Sequence, residues 1–140
     1  MTRHSVSVAA AVVDDGGRVL AIRRRDNGHW EPPGGVLELD ETVTEGLVRE
    51  VLEETGVNVE PEALTGVYKN MTHGIVALVF RCAVVDGRPA PTPETAEVAW
   101  LPADRLPEYM DEAYAVRMLD ALQPGPPAIR AHDGRALLAR

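Results

Sequence analysis

The chain has 140 residues, with 22 acidic against 14 basic side chains and a formal net charge of -8. One domain with a sizeable core fits this length, and the acidic balance argues against a surface that holds duplex nucleic acid through phosphate neutralisation. The one cysteine, Cys82, cannot form an intrachain disulfide and lies in an apolar run, which suits a packed thiol in a reducing cytoplasm; no segment approaches the roughly 20 apolar residues that span a bilayer.

Residues 5–13, where serine and valine alternate before an apolar run, and "RVLAIRR" at 18–24 predict two strands. The "DDGG" between them predicts that they form a β-hairpin. The apolar start does not read as a secretory leader, because serines interrupt it and an acidic turn follows where small residues would be cleaved. "DNGHWEPPGG" at 26–35 predicts a loop, rigid in its punctuation and suited to carry function. From Thr42 to Thr55 the period becomes helical, with Val43, Leu47, Val48, Val51 and Leu52 on one apolar arc. Thr42 and Glu45 predict a capping box at its start, and Gly56 a left-handed stop.

A weak strand is expected over 63–69, a strong buried one over 75–85, and a short one over 98–101 after a loop rich in proline. "PADRL" opens a second helix that runs to about Leu122, broken or delayed by Pro107, with Leu106, Met110, Leu119 and Leu122 as core contacts. Residues 1–123 thus read as one α/β domain with a tail over 124–140. In that tail "AIRAH" and "RALLA" flank Asp133-Gly134, a favoured two-residue turn, so it is either an appended hairpin or disordered.

Three glutamates concentrate the chemistry. Glu50, Glu53 and Glu54 stand at i, i+3 and i+4, which brings their carboxylates to one side of the helix near its negative end. Alone, such a set is either a solvated acidic face or a cradle for a hard divalent cation such as Mg²⁺ or Mn²⁺. Arg49 can pair with Glu45 or Glu53 at helical spacing and hold a ligand in place. Gly46 lowers helix stability by about 1 kcal/mol relative to alanine, a loss that makes sense if it leaves space for the Gly34-Gly35 loop against the glutamates.

The wider spacing decides between the two. Gly35, Glu41, Arg49-Glu50-Val51, Glu53-Glu54 and Gly56-Val57 follow the pattern G-x5-E-x7-R-E-U-x-E-E-x-G-U, where U is aliphatic. This resembles the signature of the Nudix hydrolases (MutT-like), and every fixed position is met over residues 35–57. The departures are Asp40, where the family commonly has glycine, and Gly46-Leu47, where it usually has two small residues; both fall at unrestricted positions.

The resemblance implies an α/β/α sandwich with a mixed central β-sheet, and Mg²⁺- or Mn²⁺-dependent hydrolysis of a pyrophosphate linkage in a nucleoside diphosphate derivative. It implies Glu50 and Glu54 as primary metal ligands, Glu53 as a further one, the Gly34 carbonyl as an added oxygen, and Glu41 with Arg49 as supports. The general base is Glu50 or a glutamate on a distant loop. For the latter, Glu94 in "PTPETAEVAW" fits the family's segment before a tryptophan, as a fourth ligand or the base, whereas Glu97 reads as solvated. Arg23 and Arg25 share a strand face and are either phosphate contacts or exposed strand-end charges. Trp30 either stacks on a base or packs; Trp100 reads as core, His73 as a turn residue, and Tyr109 and Tyr114 as core or rim.

A nucleoside triphosphate is the expected substrate of this compact chain, with ADP-ribose or a nucleotide sugar as the alternative. A module that binds nucleotide without turnover is the alternative from another class, disfavoured by the intact carboxylates. A homodimer is the family expectation for assembly, and the terminal hairpin could serve it.

Overall fold

Val8 to Val12 are almost wholly withdrawn from solvent, which requires a strand covered on both faces. In the computed structural model, which describes residues 2–139, this strand, β1 (Ser5–Val12), lies inside the larger of two sheets. The remaining elements follow as β2 (Val19–Arg24), β3 (Trp30–Glu31), β4 (Gly34–Val36), α1 (Val43–Thr55), β5 (Val57–Asn70), β6 (Ile75–Gly87) and β7 (Thr95–Leu101). After a single 3₁₀ turn come α2 (Leu106–Tyr109), α3 (Glu112–Ala121), β8 (Ala128–His132) and β9 (Leu137–Leu138).

The six-stranded sheet has the order β4-β1-β6-β5-β8-β9, with β1 parallel to β6 and β5 parallel to β8; its other pairs are antiparallel. A three-stranded antiparallel sheet, β3-β2-β7, stands beside it. Alternation along β1 divides the core. Val8, Ala10 and Val12 pack with Leu47 and Val51 of α1, whereas Ala11 packs with Leu106, Ala115 and Met118 of α2 and α3. The result is the expected α/β/α sandwich with a mixed central sheet.

Several local expectations change. β1 and β2 do not form a hairpin ladder: the turn exists, with the Asp14 carboxylate accepting from the Gly16 and Arg18 N–H groups, but only Val13 and Val19 bridge across it. Both strands are buried on both faces, and each gains more partners by entering its own sheet. The 26–35 loop contains β3 and β4. The weak strand extends over the whole of β5, and its irregular pattern reflects register shifts near Asn58, Pro61 and Leu64. Pro107 is tolerated in the first turn of α2, and the break between α2 and α3 comes at Met110, whose backbone is extended. The β8–β9 pair extends the larger sheet along β5, and Arg130 clasps Asp120 of α3 with two 2.8 Å bonds.

Cys82 is buried, and burial pushes its thiol up to about 12. Among the described residues no helix is long and apolar enough to cross a membrane.

Candidate active site

α1 begins and ends as expected. Thr42 and Glu45 exchange side chain to backbone bonds of 3.3 and 2.9 Å, and Gly56 closes the helix at φ 78°. Glu45 is therefore occupied in the cap. Arg49 turns instead to Glu41, at 2.6 and 2.8 Å, and reaches Glu50 at 3.0 Å and Glu53 at 3.2 Å through Nη1. The guanidinium draws the Glu41 carboxyl down to about 2.

Gly46 serves a different neighbour from the one expected. A Cβ there would lie 2.6 Å from Leu37 Cδ1 and 2.7 Å from Glu41 Oε1, so its missing side chain makes room for Glu41, the partner of Arg49. The Gly34-Gly35 strand approaches further along the helix. A Cβ on Gly35 would sit 2.5 Å from Glu50 Oε2, and the Gly34 N–H donates to Glu54 at 2.6 Å. Pairing of β4 with β1 holds this backbone against the carboxylates.

Glu54 is only 5% exposed, and burial pushes its carboxyl up to about 8 against the bond from Gly34. Burial also raises Glu50, partly opposed by Arg49 and reinforced by the charges of Glu53 and Glu94. Glu94 lies across a cleft of about 530 Å³ that Glu54 and Arg24 also line. The site therefore gathers Glu50, Glu54, Arg49, Glu41, Gly34, Gly35 and Glu94, with Glu53 on the exposed rim.

Among the described residues no three acidic, histidine or cysteine side chains converge closely enough to hold an ion as they stand. The reason is visible: Arg49 Nη1 lies on both Glu50 and Glu53, while Glu54 is drawn to Gly34. The donor set nevertheless fits a hard divalent cation. It is made of carboxylate oxygens on adjacent helical turns, one of them buried without a cation bound to it, beside a glycine backbone that leaves the approach open.

Arg23 is placed away from this centre, whereas Arg25 lines the cleft that Glu54 and Glu94 share, and its N–H donates to the Glu94 carbonyl at 3.1 Å. Leu20 packs with α1, so alternation carries Arg24 to the α1 face and Arg23 to the other, while Arg25 lies beyond the end of β2. Arg23 bonds Glu97 at 3.0 Å and the Gly28 carbonyl, and Arg25 bonds the Thr92 and Thr95 carbonyls. Arg24 lines that cleft beside Arg25; it bonds Asp26 and Glu31, and burial raises the Glu31 carboxyl. The β2 face that supplies it was open to reading, because Leu20 and Ile22 are larger than the alanine between them. Trp30 meets Tyr109 edge-on at 5.7 Å, and both line a cleft of about 750 Å³ with Tyr114. Trp100 packs against the core, and His73 sits in the β5–β6 turn.

Comparison with known proteins places this geometry. The NUDIX domain profile matches residues 3–122. A MutT-like protein of Streptomyces ambofaciens is 58% identical over 135 residues, spanning 96% of this chain and 88% of that one. A Bacillus subtilis protein whose name offers 8-oxo-dGTP diphosphatase as a suggested activity is 34% identical over 71% of this chain and 67% of its own. An ADP-ribose pyrophosphatase of Methanocaldococcus jannaschii is 29% identical over 75% of this chain and 66% of its own. A Nudix hydrolase from Nitrosomonas europaea shares the fold with a TM-score of 0.80, covering 94% of this chain and 81% of that one at 24% identity. With the signature on α1 and its glycine strand intact, the chain belongs to the Nudix family of pyrophosphohydrolases.

Proposed function

We propose that the protein hydrolyses nucleoside triphosphates to the monophosphate and pyrophosphate with a divalent metal, Mg²⁺ or Mn²⁺. The observation that carries the metal-dependent reading is Glu54, only 5% exposed and held by the Gly34 N–H beside Glu50, a pair of carboxylates that a dication would stabilise. Nudix hydrolases generally use divalent metal ions. Glu50, Glu54 and Glu53 would hold the metal here, with Glu94 and the Gly34 carbonyl as further oxygens. Bound there, the metal would neutralise the phosphate oxygens and make a polyanion compatible with an acidic site.

The chain's own groups would do the rest. Arg49, fixed on Glu41, orients Glu50 and Glu53. Glu50, or Glu94 across the cleft, takes the proton of the attacking water; Glu50 is suited to this by its raised carboxyl. Arg24 and Arg25 line the cleft beside Glu54, and the cleft lined by Trp30 and Tyr109 shares Arg24, Glu31 and Tyr114 with a smaller cavity beside the glycine strand, so that together they have room for the nucleoside. The MutT-like relative and the one named for 8-oxo-dGTP support the triphosphate reading. The ADP-ribose pyrophosphatase relative supports the alternative, in which ADP-ribose would give two phosphorylated halves.

A nucleotide panel with Mg²⁺ or Mn²⁺ and identification of both products separates these readings. Activity that survives both Glu50→Gln and Glu54→Gln would overturn the site assignment. Tight nucleotide binding without turnover under any metal would favour a sensor module.

A further inference from the structure

Beside the glycine strand, between β1, β4 and α3, lies a cavity of about 250 Å³. Its walls include Val8, Ala9, Pro32 and Ala77, yet Arg117 of α3 lines it while only 8% exposed. The guanidinium is held between the rings of Tyr68 and Tyr114, at 5.4 and 4.9 Å, and Nε donates to the Ala113 carbonyl. Among the described residues no carboxylate forms an ion pair with it, and Nη1 has no hydrogen-bond acceptor. Nη1 is thus open to the cavity, where whatever fills it supplies the acceptor.

The nearest ring adds a further donor. Nη2 lies 3.2 Å from His132 Nε2, while His132 Nδ1 accepts from the Gly134 N–H at 2.9 Å. Burial and the neighbouring guanidinium lower His132, so it is neutral, and a neutral imidazole accepts at one nitrogen only. With Nδ1 accepting, Nε2 carries the proton and becomes a second donor facing Arg117. Asn70 adds a third: its Oδ1 accepts from the Thr72 and His73 N–H groups, and its Nδ2 has no partner among the described residues. One end of the cavity therefore presents donors whose acceptors come from whatever fills it.

An anion is a poor occupant. Glu31 lines the same cavity, and the charge of Arg24 is already shared between Glu31 and Asp26. A neutral planar ring bearing carbonyl oxygens suits the apolar walls and the donors together. Such a ring can reach the cavity from the glutamates, because Gly34 and Gly35 form part of its wall, and Glu31 and Tyr114 line both it and the large cleft.

We propose that Arg117, with His132 and Asn70, selects nucleotides whose base carries a ring carbonyl, namely guanine, cytosine, thymine or uracil, over adenine. Adenine has no carbonyl oxygen and would set its amino group or a lone ring nitrogen against these donors, leaving some of them unpaired. The inference rests on the nucleotide reading above, but its test does not need turnover.

Calorimetry with the monophosphates dGMP, dTMP and dAMP reads the selection directly. Wild-type protein is expected to bind dGMP and dTMP about tenfold or more tightly than dAMP, and Arg117→Met to bring the three within about threefold. In ¹⁵N-arginine-labelled wild type, the Arg117 guanidinium resonances should move with dGMP and not with dAMP, a readout that stands even if Arg117→Met does not fold. Equal binding of dAMP, an unmoved Arg117 signal, or no binding of any monophosphate at millimolar concentration would overturn the proposal. Triphosphate hydrolysis with equal kcat/KM for all bases would overturn it too, while leaving the pyrophosphohydrolase reading intact.

Discussion

Glu54→Gln should make the metal-free protein more stable and inactive at once. The wild-type carboxyl rises from its ordinary 4.5 to about 8 on folding, chiefly through burial. The folded protein thus keeps a proton that the unfolded chain has released, and stability falls as pH rises from 4.5 toward 8. At about 1.4 kcal/mol per pH unit, the penalty reaches about 3 kcal/mol at pH 7. Glutamine retains an oxygen to accept from the Gly34 N–H, which the wild-type bond spans in 2.6 Å, and carries no charge. Thermal melts in EDTA at pH 4.5, 7 and 8.5 should show little difference at the lowest value. At pH 7 the variant should gain roughly 10 °C, the shift expected for about 3 kcal/mol in a chain of this size. Millimolar Mg²⁺ should raise the melting temperature of wild type alone, because it binds only the carboxylate form. A variant less stable than wild type at pH 7 without metal would refute the reasoning.

Gly35→Ala should lose most activity with a smaller loss of stability, because its methyl group would contact Glu50, itself movable, at 2.5 Å; steady-state kinetics beside melting curves checks this. Gly46→Ala should destabilise the fold despite the gain of about 1 kcal/mol in helix propensity, since the methyl would strike Leu37 and Glu41; chemical denaturation gives the sign. Arg49→Gln should return the Glu41 carboxyl from about 2 toward 4.5, followed by NMR titration, and weaken metal affinity about 10- to 100-fold by calorimetry. Removing residues 124–140 should expose the β5 edge and Tyr68 and strip Asp120 of Arg130, so the shortened chain should melt far lower or aggregate; melting and light scattering decide.

What could be read from the sequence was local. The helix caps, the spacing from Gly35 to Val57 and the apolar run of β6 each depend on residues within a few turns or one strand, where side-chain chemistry acts directly. The pairing of β1 was not local: its partner β6 lies some sixty residues away, and the turn at Asp14 fits a hairpin equally well. Arg24 was obscured by its neighbours, since three arginines in a row leave the choice of face to packing against α1. Arg117 was hidden more thoroughly. It lies in a helix of mixed polarity, and its burial arises from Tyr68 of β5 and His132 of β8, neither adjacent to it in sequence.

The oddest feature of α1, two glutamates in a last turn that contains no basic residue, finds its compensation in the neighbouring glycine strand and one turn back along the helix. The Gly34 N–H supplies it for Glu54, and Arg49 Nη1 supplies it for Glu53 and Glu50. Arg49 works with two edges: Nε and Nη2 stay on Glu41, while Nη1 lies between the two other carboxylates. A dication held by Glu50 and Glu53 would compete with Nη1 and leave the Glu41 edge untouched. The arginine can therefore yield part of its contacts without losing its position, provided Glu41 stays in place. That condition explains the glycine one turn earlier. Gly46 gives up helix propensity so that Glu41 can lie against α1, and Glu41 holds the arginine that ties Glu50 and Glu53 together, a contact that a bound metal would in part replace.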